Sequence, residues 1–252
     1  MLKPSRMTNT NKIRTCFNSG AYSYDSEVDI QPKVAQSLAK RLPKKNVQTL
    51  VEIACGTGLL SRYLPSLFPE AAITLSDLAP LMIEVCKKRF EANSNVVLKC
   101  FNGQNFALTT PADLIVSSMA LQWFNDLKNC FQNISKQLNI GGHFVFAMLG
   151  KNSLCEWSEV CGKLGNSPTP VFPSKEEVQS FLPNLKIETE VIHQSYKNTY
   201  AFLKKLKSIG ANAPREGHIP YSSGMLRQIM RKLDERNVCI SYEIIYGSYI
   251  KL

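Results

Sequence analysis

The chain has 252 residues, 44% of them hydrophobic and 20% charged, a composition that excludes large-scale disorder and a length that buries a core without covalent staples. Its formal charge of +10 attracts polyanions, whether nucleic acid, an anionic membrane face or an acidic protein, without choosing among them. No run reaches the roughly 18 apolar residues of a membrane span, and the eight cysteines contain no C-x-x-C pair, which removes the usual zinc and thioredoxin spacings.

Residues 1–20 are basic and polar and lack the apolar core of a secretory signal. Lys3, Arg6, Lys12 and Arg14 precede the first acid, Asp25, and the segment reads as a frayed basic arm. Residues 30–41 space Ile30, Val34, Leu38 and Ala39 along one helical face. Residues 47–54 form an apolar run that stops at Gly56, the first predicted strand. Residues 59–67 resume helical spacing, residues 72–75 give a second strand, and residues 80–93 a helix beginning after Asp77. Strands follow at 96–101 and 113–117, a helix at 127–138, then a turn at Gly141-Gly142 into a fifth strand at 143–148. Strands alternating with helices predict βαβ units, right-handed crossovers and a mostly parallel sheet. Beyond Gly150, residues 151–182 read as helical around a Pro-rich break. Residues 185–195 and 239–250 alternate as strands, and 200–209 and 223–236 are helical. A late strand pair with helices around it suits an antiparallel edge plus a helical cap. Several cysteines lie in apolar runs, where a thiol acts as a small hydrophobe; this favours a reducing compartment, the cytoplasm.

The strongest local signal is Glu52-Ile53-Ala54-Cys55-Gly56-Thr57-Gly58. At the end of a first strand, Gly56 and Gly58 let a ligand approach the backbone, and a helix after the loop offers free N–H groups. Glu52 orients the loop or meets a ligand ammonium. Asp77 ends the second strand 19 residues after Gly58. An ionised carboxylate there accepts from paired ribose hydroxyls; its bland reading is a helix N-cap. The dinucleotide fingerprint needs a third small residue, and this chain has Gly56-Thr57-Gly58-Leu59-Leu60-Ser61. The run fits better the methyltransferase loop E/D-x-G-x-G-x-G, with Ala54 in place of the first Gly.

From these residues the chain resembles the class I S-adenosylmethionine-dependent methyltransferases. Five further segments narrow the resemblance: Phe17-x6-Tyr24-x6-Gln31, Asp77 to Met82, Ser118-Met119-Ala120-Leu121-Gln122-Trp123, Leu206-Lys207-Ser208-Ile209-Gly210-Ala211, and Tyr242-x4-Gly247. Together they are similar to the malonyl-acyl carrier protein O-methyltransferases of biotin synthesis, over residues 17–250. The resemblance implies a Rossmann-like class I methyltransferase sheet at 47–150. It also implies an N-terminal helical segment at 1–46 over the active site, with cap insertions and closing strands at 151–252. It implies S-adenosylmethionine as cofactor, leaving as S-adenosylhomocysteine, held by Glu52, Ala54, Cys55, Gly56, Gly58, Asp77, Leu78, Met82, Asn102, Ser117 and Ser118. Asn102 stands where such enzymes usually carry an acid for the adenine amino group; its carbonyl still accepts a hydrogen bond.

The implied reaction methylates the free carboxylate of a malonyl thioester on acyl carrier protein or coenzyme A. A carboxylate is already an ionised nucleophile, so no catalytic base is required, and positioning with exclusion of water suffices. Tyr22 and Tyr24 on the covering segment are candidates to hold the malonyl group, as are Gln122 and Trp123 after the fourth strand. Lys207 and Arg215 are candidates to pair with its carboxylate or with a carrier phosphate. The run Lys204-Lys205-Leu206-Lys207 is either a solvated helix face or a docking patch for an acidic carrier. His143, His193 and His218 show no metal spacing, and His143 reads as structural. The expected enzyme is a monomer that uses neither nucleic acid nor membrane. Competing readings are methylation of another small acid such as trans-aconitate, an RNA or DNA methyltransferase motivated only by the charge, and a non-catalytic binding domain.

Overall fold

The computed structural model describes residues 10–164, 167–214 and 217–252. One seven-stranded sheet forms its centre, in the order β3-β2-β1-β4-β5-β7-β6. Strands β1 (Thr49–Ile53), β2 (Ala72–Asp77), β3 (Val96–Cys100), β4 (Ala112–Ser118) and β5 (Leu138–Leu149) are parallel. Strand β7 (Cys239–Ile250) lies antiparallel between β5 and β6 (Lys186–Ser195). Helices connect the strands: α3 (Gln31–Ala39), α4 (Leu64–Leu67), α5 (Pro80–Lys87), α6 (Leu127–Lys136), α7 (Cys155–Leu164), α8 (Lys175–Gln179), α9 (Thr199–Ser208) and α10 (Ser223–Asp234). Two further helices, α1 (Thr10–Gly20) and α2 (Tyr24–Glu27), precede them.

Because successive strand residues face opposite sides, the sheet splits its apolar residues between two cores. Leu50, Leu75, Leu114, Val116 and Val145 meet α3, α7 and α10 through Leu38, Trp157 and Ile229. Val51, Ile53, Ile115, Phe144 and Phe146 meet α6 and α8 through Phe131 and Val178. Phe131 sets its edge against Phe146 and Phe144 at 5.0 and 5.3 Å, a favoured aromatic geometry.

Three segments differ from the sequence expectation. Residues 10–20 are a helix rather than a frayed arm. Its Asn18 accepts from Leu81 N at 3.0 Å, and Phe17 packs with Ala79 and Met82. The segment after the glycine loop is a 3-10 turn at Ser61–Tyr63 followed by the single turn of α4. Pro65 has no N–H to continue an α-helix there. Strand β5 starts at Leu138 and runs through Gly141-Gly142 instead of turning there. The pairing with β4 slips between Ala112 and Leu114, and Gly141, at φ 72°, donates to Lys251 O at 2.7 Å. The glycines make an irregularity within a strand rather than a reversal.

Candidate active site

In an open α/β sheet, ligands bind beyond the carboxyl ends of the strands where the strand order reverses. Here β1 has β2 on one side and β4 on the other, which places that crevice between the ends of β1 and β4. Two non-glycine residues, Ala54 and Met119, follow these strands with φ of 56° each. Left-handed backbone costs an L-residue about 1–2 kcal/mol, and such strain gathers at functional sites. Both residues line the cavity between the strand ends.

Asp77 ties the crevice together. Its carboxylate accepts from Gly56 N at 2.9 Å and from Ala79 N at 2.8 Å. Gly56 adopts φ 56°, and a Cβ there would meet only open space, so glycine serves the turn and keeps the ligand side clear. Gly58, at φ 94°, serves packing instead: a Cβ would approach Cys86 Sγ to 3.1 Å and Arg89 Cδ to 3.2 Å.

The cavity is a partly open cleft spanning about 860 Å³, its solvent-facing mouth included. Glu52 and Asp77, both buried, line it together with Ala54, Cys55, Gly56, Leu78, Met82, Gln104 and Ser118. Glu52 accepts from Ser61 Oγ at 2.6 Å, and burial pushes its carboxyl well above the ordinary carboxylate range. Burial also raises Asp77, against the pull of its backbone N–H donors.

Helices α1 and α2 close the cavity from above. Asp25 accepts from Thr57 Oγ1 at 2.6 Å and pairs with Arg89, joining the cover to the glycine loop and to the end of α5. Glu27 holds Lys205 at 3.2 Å and accepts from Ser208 Oγ at 3.1 Å, joining the cover to α9. Gly210 ends α9 at φ 73° with its Cα against α1, where a Cβ would fall 2.6 Å from Cys16 O. The two segments 17–31 and 206–211, far apart in sequence, thus form one lid.

Beneath the lid lies a second cavity of about 700 Å³. It shares Phe17, Tyr24, Gln31, Met119 and Trp123 with the first. Phe17 meets Trp123 edge-on at 5.6 Å. Lys205 lines the second cavity, with its ammonium 3.2 Å from Glu27 and 3.6 Å from Asp29. Tyr196 and Tyr242 share a hydrogen bond of 3.0 Å there; burial pushes the Tyr196 hydroxyl up to about 12. Gln31, on both cavities, has a buried Oε1 with no hydrogen-bond partner.

Most expected cofactor residues meet at the first cavity, and Tyr24 and Trp123 stand at its junction with the second. Others sit elsewhere. Tyr22 is 66% exposed and donates to Glu84 at 3.1 Å, outside both cavities. Ser117 is buried behind the crevice and donates to Ile53 O at 3.0 Å. Asn102 accepts from Gln104 N at 3.0 Å, a turn that delivers Gln104 rather than Asn102 to the cavity. Gln122 reaches only the second cavity, where its amide donates to Met119 O at 2.6 Å and so braces the strained residue. Lys207 is exposed on the outer side of α9, and Lys205 takes the inward position. Arg215 lies outside the described residues. His143 sits in β5 paired with Ile250 and Leu114, away from the strand ends that frame the site.

Gln31, Asp25, Asp29, Lys205, Tyr196 and Tyr242 join the site through the tertiary structure and are not among the site residues expected from the sequence. Gln31 and Tyr242 carried a signal in their fixed spacing to Tyr24 and Gly247. Lys205 stood out only as part of the basic run 204–207, and Asp25, Asp29 and Tyr196 carried no signal, because their roles come from contacts between distant segments.

Residues 51–144 match the methyltransferase domain family. The chain is 35% identical, over 93% of its length, to the biotin biosynthesis bifunctional protein BioCD of Bordetella avium, of which it spans 51%. It is 30% identical to the malonyl-[acyl-carrier protein] O-methyltransferase of Magnetococcus marinus, covering 98% of this chain and 96% of that one. Its fold is similar to phosphoethanolamine N-methyltransferase 2 of Haemonchus contortus in complex with S-adenosyl-L-methionine. The TM-score is 0.60 at 18% identity, over 93% of this chain and 57% of that chain. Identity at this level to a relative matched almost end to end shows that the chain belongs to the malonyl-[acyl-carrier protein] O-methyltransferase family.

Proposed function

We propose that the protein transfers a methyl group from S-adenosylmethionine to the free carboxylate of a malonyl thioester, with acyl carrier protein as the thioester's bearer, in biotin synthesis. The carrying observation is the pair of joined cavities. One is built on the glycine loop and Asp77, the other on Lys205 and two tyrosines, and they meet at Phe17, Tyr24, Gln31, Met119 and Trp123.

The first cavity fits the cofactor. Asp77 keeps lone pairs beyond its two backbone bonds and accepts from vicinal ribose hydroxyls. Gly56 leaves the ligand side of the loop clear, and the acids Glu52 and Asp77 suit a cationic ligand. When bound, S-adenosylmethionine supplies a sulfonium-activated methyl group. The protein's share is placement and exclusion of water. Phe17, Met119 and Trp123 wall the junction with apolar surface. Lys205 has three N–H donors; Glu27 lies within hydrogen-bond distance at 3.2 Å and Asp29 only within ion-pair range at 3.6 Å, which leaves donor capacity for the acceptor carboxylate. Gln31 offers a buried amide oxygen without a partner at the junction, an acceptor that a ligand N–H or O–H donor such as the cofactor's ammonium satisfies. No general base is called for, because the acceptor is ionised at neutral pH.

Four of the eight cysteines are buried and all are unpaired, which suits a reducing compartment such as the cytoplasm. Among the described residues no helix is long and apolar enough to cross a membrane.

The direct test incubates the protein with S-adenosylmethionine and malonyl-acyl carrier protein, malonyl-coenzyme A, free malonate or trans-aconitate, and reads methyl ester by mass spectrometry. Ester on the thioesters is expected. Ester on a free dicarboxylic acid with none on either thioester overturns the substrate assignment. Gln31→Ala is expected to lower turnover while leaving folding intact; unchanged kinetics would remove Gln31 from the site.

A further inference from the structure

Most of the chain's excess positive charge sits on one part of the cap. Residues 196–233 carry eight of the 30 Lys and Arg but one of the 20 Asp and Glu. Among the described residues of this stretch, Lys205 is the one cation spent on an internal ion pair. On α9, Lys205, Leu206 and Ile209 form a wall of the second cavity. Tyr200, Lys204 and Lys207 recur on the opposite side at the i, i+4, i+7 spacing of one helical face, and all three are exposed. Helix α10 packs beside it: Asp234 accepts from Thr199 N and Oγ1 at 2.6 Å each, and Thr199 Oγ1 also lies 3.1 Å from Met230 O. That carboxylate is taken up by the junction of the two helices. The outer residues Arg227, Arg231 and Lys232 of α10 are exposed. Among the described residues, none of the five outer cations of α9 and α10 takes part in an ion pair.

Left unpaired, such a cluster repels itself, and it gains most when an opposite surface covers it. Its location limits the partner. A membrane surface is held by a stripe of apolar side chains inserted beneath the cations, and among the described residues of α9 and α10 the one exposed large apolar side chain is Tyr200. Single-stranded nucleic acid is held by successive exposed rings, and α9 and α10 again offer one. A protein with an acidic helical face requires only complementary charge and a small apolar contact. It would meet this face on the far side of the helix that walls the acceptor cavity.

We infer that the outer face of α9 and α10 is the docking surface for an acidic protein that delivers its covalently held acyl group into the second cavity. This rests on the proposed function and adds where the carrier binds. Docking there leaves the methyl-transfer site untouched, so the face governs capture of the carrier and not the chemical step.

The test is a triple charge reversal, Lys204→Glu with Arg227→Glu and Arg231→Glu, none of which lines either cavity. Unchanged thermal stability and S-adenosylhomocysteine affinity certify the fold, with the triple alanine variant as a milder replacement should the reversal not fold. Binding of acyl carrier protein is measured by fluorescence anisotropy across a salt series, and kcat/KM is measured with malonyl-carrier protein and with malonyl-pantetheine, which has no protein part. The expected result is salt-sensitive carrier binding by the wild type, a loss of at least about tenfold in the variant, and the same loss in kcat/KM for the carrier substrate. Malonyl-pantetheine turnover should stay within about twofold. Carrier binding that survives reversal overturns the inference. So does a wild type that binds poly(U) RNA or phosphatidylglycerol vesicles through these residues more tightly than the carrier. A wild type that binds the carrier through this face yet methylates no thioester supports the docking surface and sinks the reaction assignment instead.

Discussion

Replacing Asp77 by Asn separates a ligand-binding carboxylate from a structural one. In the folded protein the carboxylate is buried and accepts from Gly56 N at 2.9 Å and Ala79 N at 2.8 Å. Asn retains one oxygen and turns an NH2 donor toward the other N–H, so one charge-assisted bond is lost and two donors face each other. That loss is about 1.5–3 kcal/mol, and it lowers the melting temperature whatever the function. If Asp77 also accepts from ribose hydroxyls, a bond of the same class disappears from the complex. At 1.4 kcal/mol per decade, S-adenosylhomocysteine should bind roughly 10- to 150-fold more weakly. Titration calorimetry of wild type and variant, below the melting temperature of both, reads this directly. A variant that melts lower but binds S-adenosylhomocysteine with wild-type affinity would refute the ligand role and leave Asp77 as a tie between two loops.

Three other outcomes follow from the geometry. Gly247→Ala places a Cβ 2.1 Å from the Phe146 ring, an overpacking of about 3 kcal/mol that should lower the melting temperature by roughly 6–12 °C; Phe146→Leu in the same chain should recover part of it, and additive losses would show that the two residues do not clash. Asp25→Ala removes the bonds to Thr57 and Arg89 and should speed S-adenosylhomocysteine release about 5- to 30-fold, from about 1–2 kcal/mol of lost contact; an unchanged rate in stopped-flow would mean that α1 and α2 do not cover the ligand. Glu52 has a folded pKa raised well above 4.5 by burial, so as pH rises past 4.5 the unfolded chain loses its proton first. The ligand-free protein then loses stability until pH passes the raised value. Glu52→Gln keeps an acceptor for Ser61 and removes this titration, so urea denaturation across pH should show the variant gaining on the wild type from pH 4.5 upward. A constant gap would refute the perturbed carboxyl.

The alternation of strands and helices was legible because each parallel strand is a short apolar run bounded by turn residues, and β7 was expected at 239–250, as found. The loop at 52–58 and Asp77 were legible for the same local reason: a strand end that must admit a ligand carries glycine, and the neighbouring strand end carries an acid. What the sequence by itself determined is therefore the sheet and the floor of the first cavity. Tertiary structure decided the lid and the second cavity. Helix α1 buries only Ile13 and Gly20 among its own residues, too few for a periodic signal, and is held by Leu81 and by α9. Lys205 and Lys207 differ by two residues, about 200° around a helix, so which of them faces inward depends on where Glu27 and Asp29 of the distant N-terminal segment stand. Tyr22 and Tyr24 differ in the same way: packing with Ala79 and Met82 places Tyr24 at the cavities, while Tyr22 stays in solvent beside Glu84. The physical reason is common to all three. Periodicity reports that a face is buried, but the identity of the partner that buries it is fixed only when remote segments meet.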